Sequence, residues 1–126
     1  MATPTKEIKK PVALPKPNSD FYELVETLPP HELAVVKRVR TFMETNVAPI
    51  INKYWVEDAF PFEVLPGFKE LNIGGLGIQG YGCAGGSQLL IGLVAMELAR
   101  FDASIATFQG VHSGLAMGSI ALVGSR

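Results

Sequence analysis

The chain has 126 residues, enough for one domain but not for two. Its formal net charge is -1, which argues against nucleic-acid binding, because nucleic-acid-binding domains usually carry a clustered positive face. The single cysteine, Cys83, excludes an intrachain disulfide and fits a reducing compartment.

The first 20 residues are rich in lysine and proline. They contain no apolar stretch long enough for a signal-peptide core, and they lack the arginines of a mitochondrial transit peptide. Such a composition cannot bury much apolar surface, so it predicts a flexible tail over 1–20. The folded domain is then expected over 21–126.

Helical spacing of apolar residues begins after this tail. Thr27 is a candidate N-cap for the first helix, with Pro29 and Pro30 in its first turn, where their missing N–H groups cost little. Apolar side chains then recur every three to four residues as far as Val47, which predicts an amphipathic helix. Pro49 marks a break and a possible start for a second helix, over Pro49–Glu57.

A third helix is predicted from Pro61, with Pro66 as either its true start or a kink. The glycine-rich stretch 73–87 predicts a turn or irregular loop. A mostly apolar fourth helix follows over Gln88–Arg100. A fifth helix is expected over Ala103–Val123. No strand pattern is present, so the predicted fold class is all-α, with about five helices.

Charge is distributed unevenly along this series of helices. Residues 1–70 carry nineteen of the 23 charged side chains, whereas 71–125 carry only Glu97, Arg100 and Asp102. A small independent domain normally spreads charge over its whole surface. The second half must therefore enter a membrane or be covered by other domains or subunits, and we infer a surface meant for partners.

Two glycine patterns suggest other functions. The loop matches G-x-G-x-x-G at Gly75, Gly77 and Gly80, but this dinucleotide fingerprint requires a preceding strand, so a tight turn is favoured. The uncharged stretch 103–123 is long enough for a membrane span. Its glycines at four-residue spacing suit either a membrane helix pair or close packing in a soluble core.

No catalytic or metal-binding constellation emerges from the residues alone. His112 has no second ligand at suitable spacing, and Cys83 has no neighbouring base. Glu97 and Arg100 are expected to form a local helix pair, worth a few tenths of a kcal/mol if exposed. Asp102 or Ser104 is the expected cap of the fifth helix.

Several segments resemble the acyl-CoA dehydrogenase and oxidase superfamily. They are G-Y-G-C-A-G at Gly80–Gly85, M-E-L-A-R-F-D-A-S at Met96–Ser104, V-A-P-I at Val47–Ile50 and L-N-I-G-G before the loop. The likeness covers about 22–125. Within the superfamily, the sequence most resembles the branch that holds glutaryl-CoA dehydrogenase and plant short-chain acyl-CoA oxidase. The resemblance implies an orthogonal, bundle-like N-terminal helical domain.

The resemblance also implies a function. Members use FAD to desaturate acyl-CoA thioesters at the α,β bond, and the base and most flavin contacts come from a middle β domain and a C-terminal helical domain. Because this sequence stops at Arg126, we expect a fragment or split part that neither catalyses nor holds FAD stably alone. It would be intracellular (cytoplasmic, mitochondrial or peroxisomal), and it would depend on those domains or on oligomerisation.

Within this domain, the resemblance places Ala106, Thr107, Val111 and Leu115 against the acyl chain, and it assigns no catalytic residue or metal. Glutaryl-CoA dehydrogenase has at the position of Ala106 an arginine that pairs with the distal carboxylate of its substrate. An apolar residue cannot offset the burial of that charge, so a monocarboxylic acyl-CoA is expected. The alternatives are a non-catalytic helical module that binds a partner chain, and a single-span membrane protein through 103–123.

Overall fold

The computed structural model describes residues 19–124. Within this range the chain consists of helices, turns and loops, and no β-strand is formed. The predicted all-α class is therefore confirmed. The α-helices are α1 (Pro30–Phe42), α2 (Ile51–Val56), α3 (Leu65–Leu71), α4 (Gln88–Phe101), α5 (Ala103–Gly110) and α6 (Gly118–Val123).

Short segments of other helical types extend these six. A 3-10 turn at Leu24–Thr27 precedes α1, and another at Phe62–Val64 precedes α3. A π-helical segment, Met43–Val47, continues α1, and a second, Val111–Met117, joins α5 to α6. We call the series from α5 to α6 the C-terminal rod. With these joins, the structure has the five helical regions that the apolar spacing predicts.

The predicted tail falls almost wholly on residues outside the described range, but its boundary needs correction. Asp20, which the composition placed in the tail, is buried, and its carboxylate accepts hydrogen bonds from the backbone N–H groups of Leu24 (2.9 Å) and Val25 (2.8 Å). A carboxylate holding two amides in this way orders the chain around it. The ordered part therefore begins before residue 21.

The start of the first helix also differs from the prediction. Thr27 is not its N-cap, because it lies in the preceding 3-10 turn, where its hydroxyl donates to the carbonyl of Leu24 at 2.7 Å. Pro29 is extended, with φ -63° and ψ 152°. A residue that precedes proline is pushed away from helical angles, so α1 cannot begin before Pro30.

The other prolines also set helix starts. Pro49 lies in the turn before α2, so the predicted Pro49–Glu57 shortens by two residues at its start and one at its end. Pro66 occupies the first turn of α3 and does not kink it, which resolves the alternative that the sequence left open. A proline is tolerated there because the first N–H groups of a helix have no intrahelical partner.

The core forms where α1 and α4 pack against each other, with α3 and the start of the C-terminal rod completing it. The side chain of Ser87 caps α4 by accepting from the N–H of Leu90 at 3.0 Å. The most deeply buried apolar side chains are Val39, Met43, Val47, Ile73, Leu98 and Ile105. Burying a side chain of this kind contributes roughly 1.5–3 kcal/mol, so this layer holds α4 and the rod in place.

The glycine-rich loop between α3 and α4 packs on the C-terminal rod. Gly75 adopts φ +68°, and an added Cβ would stand 2.6 Å from the Sγ atom of Cys83 and 2.9 Å from the terminal methyl of Met117. Only glycine fits both the backbone angle and this close approach. Since no strand precedes the loop, it lacks the setting of a dinucleotide fingerprint.

Within 19–124, none of the helices combines the length and the apolar character needed to cross a membrane.

Candidate functional site: an uncharged groove beside the C-terminal rod

A groove of about 770 Å³ lies between the glycine-rich loop, α4 and the C-terminal rod. Its walls are mostly aliphatic, and none of the lining side chains is Asp, Glu, Lys or Arg. Those that face it from the three elements include Ile73, Leu76, Ile91, Val94, Ala106 and Met117. A concave, apolar surface of this size is typical of a binding site for an apolar ligand or a partner element.

A small polar network fixes the loop wall of the groove to the rod. The side-chain amide of Gln109 donates to the carbonyl of Ile73 at 2.8 Å and to the hydroxyl oxygen of Ser113 at 2.7 Å. The backbone N–H of Gly75 donates to the same oxygen at 3.3 Å. The Ser113 oxygen thus accepts from both the rod and the loop, which holds the two elements together.

The structure divides the four residues that the resemblance placed against the acyl chain. Ala106 is half-buried and lines the groove. Thr107, Val111 and Leu115 are exposed and lie outside its lining, four residues apart along the rod. We call these three the outer face. The rod thus presents two uncharged surfaces, and the placement of the acyl chain against either one stays a prediction.

The groove also contains residues that sequence reasoning did not single out as site residues, notably Gln109, Ser113 and Met117. Together with Ala106 they follow helical spacing of three to four, which places them on one side of the rod. The one sequence pattern that could have indicated this side of the rod is the four-residue spacing of its glycines. Gly110, Gly114 and Gly118 all line the groove. Nothing in the sequence indicated that the loop would form the opposite wall.

An ionic cluster fixes α4, one wall of the groove, to α1. The Glu97 carboxylate accepts from the guanidinium of Arg40, with Nε to Oε2 at 2.9 Å and a second contact from Nη2. Arg100 lies 3.9 Å from the same carboxylate and donates to Glu44 at 3.1 Å. The hydrogen bonds to Glu97 raise the pKa of Arg40 above its usual range. The predicted Glu97–Arg100 pair is thus part of a larger cluster, and Glu97 is buried rather than exposed.

Asp102 is the N-cap of α5, one of the two residues that the sequence offered for this role. Its Oδ1 accepts from the N–H of Ile105 at 2.7 Å, and its Oδ2 accepts from the indole N–H of Trp55 at 2.6 Å. Each oxygen therefore has a partner, and no hydrogen bond between Asp102 and Glu97 is found. Both carboxylates position helices, which leaves neither as a free acid–base group.

The N-terminus of α4 is held by a third carboxylate. Glu32 on α1 is buried, and it accepts from the backbone N–H of Ser87 at 2.7 Å and from its hydroxyl at 2.6 Å. These hydrogen bonds, first from the hydroxyl and then from the backbone, lower the pKa of Glu32. Because Ser87 in turn caps α4, a single chain of hydrogen bonds runs from α1 to the first turn of α4.

Comparison with known protein families gives this geometry a context. The family model described as "Acyl-CoA dehydrogenase, N-terminal domain" matches residues 29–126. The chain belongs to this family. The resemblance is therefore confirmed for the N-terminal domain of the acyl-CoA dehydrogenase superfamily, and the helical architecture agrees with it. The match does not distinguish the glutaryl-CoA dehydrogenase and plant oxidase branch.

The family implies FAD, so the fit of this cofactor to the acyl-CoA dehydrogenase N-terminal domain can be tested. The pyrophosphate of FAD needs cationic side chains or an array of backbone N–H donors at a helix start. The described groove offers no cation, and the loop beside it follows no strand. The groove by itself therefore offers no site for this pyrophosphate.

No group of three metal-ligating side chains is found in the part of the domain that the structure describes. His112 is exposed, with its ring 4.3 Å from that of Phe108 and its Nδ1 2.8 Å from the Phe108 carbonyl oxygen. Cys83 is half-buried in the loop wall of the groove. Of these two residues, only Cys83 contributes to the wall of the groove.

Proposed function

We propose that the chain acts as the N-terminal domain of a flavin-dependent acyl-CoA dehydrogenase or oxidase and forms one wall of its acyl-binding region. The observation that carries this proposal is the combination of the family match over 29–126 with a C-terminal rod that has no charged residue. Both surfaces of the rod suit the aliphatic part of an acyl-CoA thioester or the apolar surface of a neighbouring domain.

In this proposal the chain binds the acyl group and keeps water away from it, but it performs no proton or hydride transfer. When bound in the assembled enzyme, FAD would supply the hydride acceptor for the α,β-desaturation of an acyl-CoA. The carboxylate base and the flavin contacts come from the middle and C-terminal domains of the enzyme. The groove and the outer face supply apolar surface. We also propose that the chain belongs to the branch that holds glutaryl-CoA dehydrogenase and plant short-chain acyl-CoA oxidase.

The acyl group is proposed to be monocarboxylic. Ala106 lines the groove, and no cationic side chain stands among its described lining residues. A second carboxylate buried there would lose its hydration without gaining a counter-charge, at a cost of several kcal/mol. Introducing the positive charge with Ala106→Arg is expected to permit turnover of glutaryl-CoA by the assembled enzyme. No gain in that turnover would contradict the placement of Ala106.

The first test is the visible absorbance of the chain after incubation with FAD and removal of free cofactor. We expect no flavin band from the chain alone. A near-stoichiometric band would show that this domain holds the cofactor by itself or as an oligomer, and it would overturn the division of roles given above.

The second test is reconstitution. The chain is co-produced with a separate polypeptide that carries the middle and C-terminal domains of a family member, and desaturation of a short acyl-CoA is followed with an artificial electron acceptor. We expect activity only when both are present. Leu115→Glu places a charge on the outer face and should abolish assembly or activity, whereas Ala34→Glu places the same charge on exposed α1 and should not. Equal effects of the two variants would contradict the proposal.

The groove also suits a second function, as a non-catalytic module that binds an apolar helix of a partner chain. Gly110 and Gly114 line the groove and have no atom near the position of an added Cβ, so a partner helix can approach the rod closely. Stable binding of the domain-bearing polypeptide without desaturation activity would favour this alternative.

A further inference from the structure

A second cavity lies at a different part of the surface, where α2 and the loop after it face the start of α5. Its volume is about 210 Å³, and it shares no lining residue with the groove. Three aromatic side chains, Tyr54, Trp55 and Phe60, contribute to its walls, and two carboxylates, Asp58 and Asp102, lie among them. We call this cavity the aromatic pocket.

The aromatic walls are fixed before any ligand arrives. Trp55 is 66% exposed, yet its indole N–H is held by Asp102 at 2.6 Å, so the ring cannot turn freely. The ring of Phe60 stands between those of Phe62 and Phe108, with centroid distances of 5.1 and 5.2 Å. A pocket whose walls are already ordered loses less conformational entropy on binding.

The electrostatic surroundings favour a cation. The carboxylates of Asp58 and Asp102 line the pocket. Burial, followed by the negative charge of Glu63, raises the pKa of Tyr54, as expected where negative charge is disfavoured. The positive end of the α5 dipole is already covered by its N-cap, Asp102.

One ring of the pocket already attracts an ammonium group from the chain itself. The Nζ atom of Lys53 lies 5.6 Å from the centroid of the Tyr54 ring. This distance falls within the range of about 6 Å over which a cation is attracted to an aromatic face. Lys53 therefore shows that a positive charge can lie within reach of the Tyr54 ring.

We propose that the aromatic pocket binds a quaternary ammonium group, such as the trimethylammonium head of a small molecule. A primary ammonium would need three hydrogen-bond acceptors, and both oxygens of Asp102 already have donors. A quaternary ammonium needs none and is attracted by aromatic faces. The pocket has about seven times the volume of a liquid water molecule, roughly 30 Å³, enough for the five heavy atoms of tetramethylammonium.

The test uses the intrinsic fluorescence of Trp55, the only tryptophan of the chain. The full chain is titrated with tetramethylammonium chloride at constant ionic strength. Neopentyl alcohol, the uncharged molecule of similar shape, is titrated in parallel. We expect a saturable change of Trp55 emission with tetramethylammonium, with a Kd on the order of 1 mM, and no saturable change with the alcohol. An absent response, or equal responses to both, would overturn the proposal.

A pair of variants separates the pocket from general charge effects. Asp58→Asn removes the exposed carboxylate of the pocket, and asparagine tolerates the φ of 49° found there, so the fold should survive. Glu57→Gln removes a neighbouring exposed carboxylate that does not line the pocket. We expect Asp58→Asn to weaken binding about tenfold and Glu57→Gln to weaken it less than about twofold. Equal losses in both variants would contradict the site, and circular dichroism checks that both remain folded.

Discussion

Replacing Glu97 by glutamine tests whether the ionic cluster holds α4 against α1. The carboxylate of Glu97 accepts two hydrogen bonds from Arg40 and lies 3.9 Å from Arg100. Glutamine keeps the size of the side chain but removes its charge, and its amide offers one acceptor oxygen instead of two. Arg40 then loses one of its two hydrogen bonds, and Arg100 loses a nearby negative charge.

The expected loss can be estimated from burial. Removing one partner of a fully buried ion pair costs about 3–5 kcal/mol. The side chain of Glu97 is only 10% exposed, but that of Arg40 is 42% exposed, so water can replace part of what Arg40 loses. Arg100 also keeps its hydrogen bond to Glu44. We therefore expect Glu97→Gln to lower the free energy of unfolding by about 2–3 kcal/mol.

Urea denaturation followed by circular dichroism measures this loss, at a concentration where sedimentation shows a single species. With a denaturant slope of about 1–3 kcal/mol/M, the midpoint should fall by about 0.7–3 M. Glu44→Gln is the control, because Glu44 is more exposed, and it should lose less than about 1 kcal/mol. If Glu97→Gln loses no more than this control, the cluster does not hold the two helices as argued.

Three further predictions concern the glycine-rich loop, α4 and the contact between Glu32 and the start of α4. Gly75→Ala should lower the free energy of unfolding in urea by about 1–3 kcal/mol, because it strains a backbone at φ +68° and crowds the thiol of Cys83. Gly74→Ala is the control: Gly74 has open space around it, so alanine should change the free energy of unfolding by no more than about 0.5 kcal/mol. Gly92→Ala, in the exposed middle of α4, should raise the thermal midpoint, with a gain of about 0.5–1 kcal/mol. Because the pKa of Glu32 is lowered in the folded state, its ionised carboxylate stabilises the fold at pH values above the unfolded pKa of about 4.3. This stabilisation is lost as the pH falls through the folded pKa. Urea midpoints of Glu32→Gln should therefore fall less between pH 6 and pH 3 than those of the unaltered chain, and an equal fall would exclude this role.

Local signals predicted most of the helical architecture. Apolar spacing of three to four residues located the five helical regions. Asp102 was one of the two caps proposed for the fifth helix, because such a role depends only on the next three residues. The predicted N-cap of α1, Thr27, lies two residues before the N-cap found, Pro29, because a helix-favouring cap at Thr27 competes with two prolines. The preference of the residue before proline for extended angles decided the outcome.

Long-range contacts were not predictable in the same way. The i,i+3 spacing of Glu97 and Arg100 indicated their pair, but Arg40 stands 57 residues from Glu97, and no local pattern connects them. The groove was missed for the same reason, since its walls come from elements distant in sequence. The resemblance placed Ala106 and Thr107 in one site, although adjacent residues of a helix point about 100° apart. The structure accordingly assigns them to different surfaces of the rod.

The structure accounts for the uneven distribution of charge along the chain. It leaves two uncharged sides of the rod, which one partner element cannot cover together. Every charged residue between 71 and 125 is engaged at the base of the rod: Glu97 and Arg100 in the ionic cluster, and Asp102 in the cap of α5. The rod itself is left uncharged on both the groove side and the outer face. A single partner element in the groove would leave Val111 and Leu115 uncovered, because they face away from its lining. Covering both sides requires contacts from at least two directions. We therefore expect the proposed role, as an N-terminal domain that meets other domains of an acyl-CoA enzyme, to involve contacts on both sides of the rod.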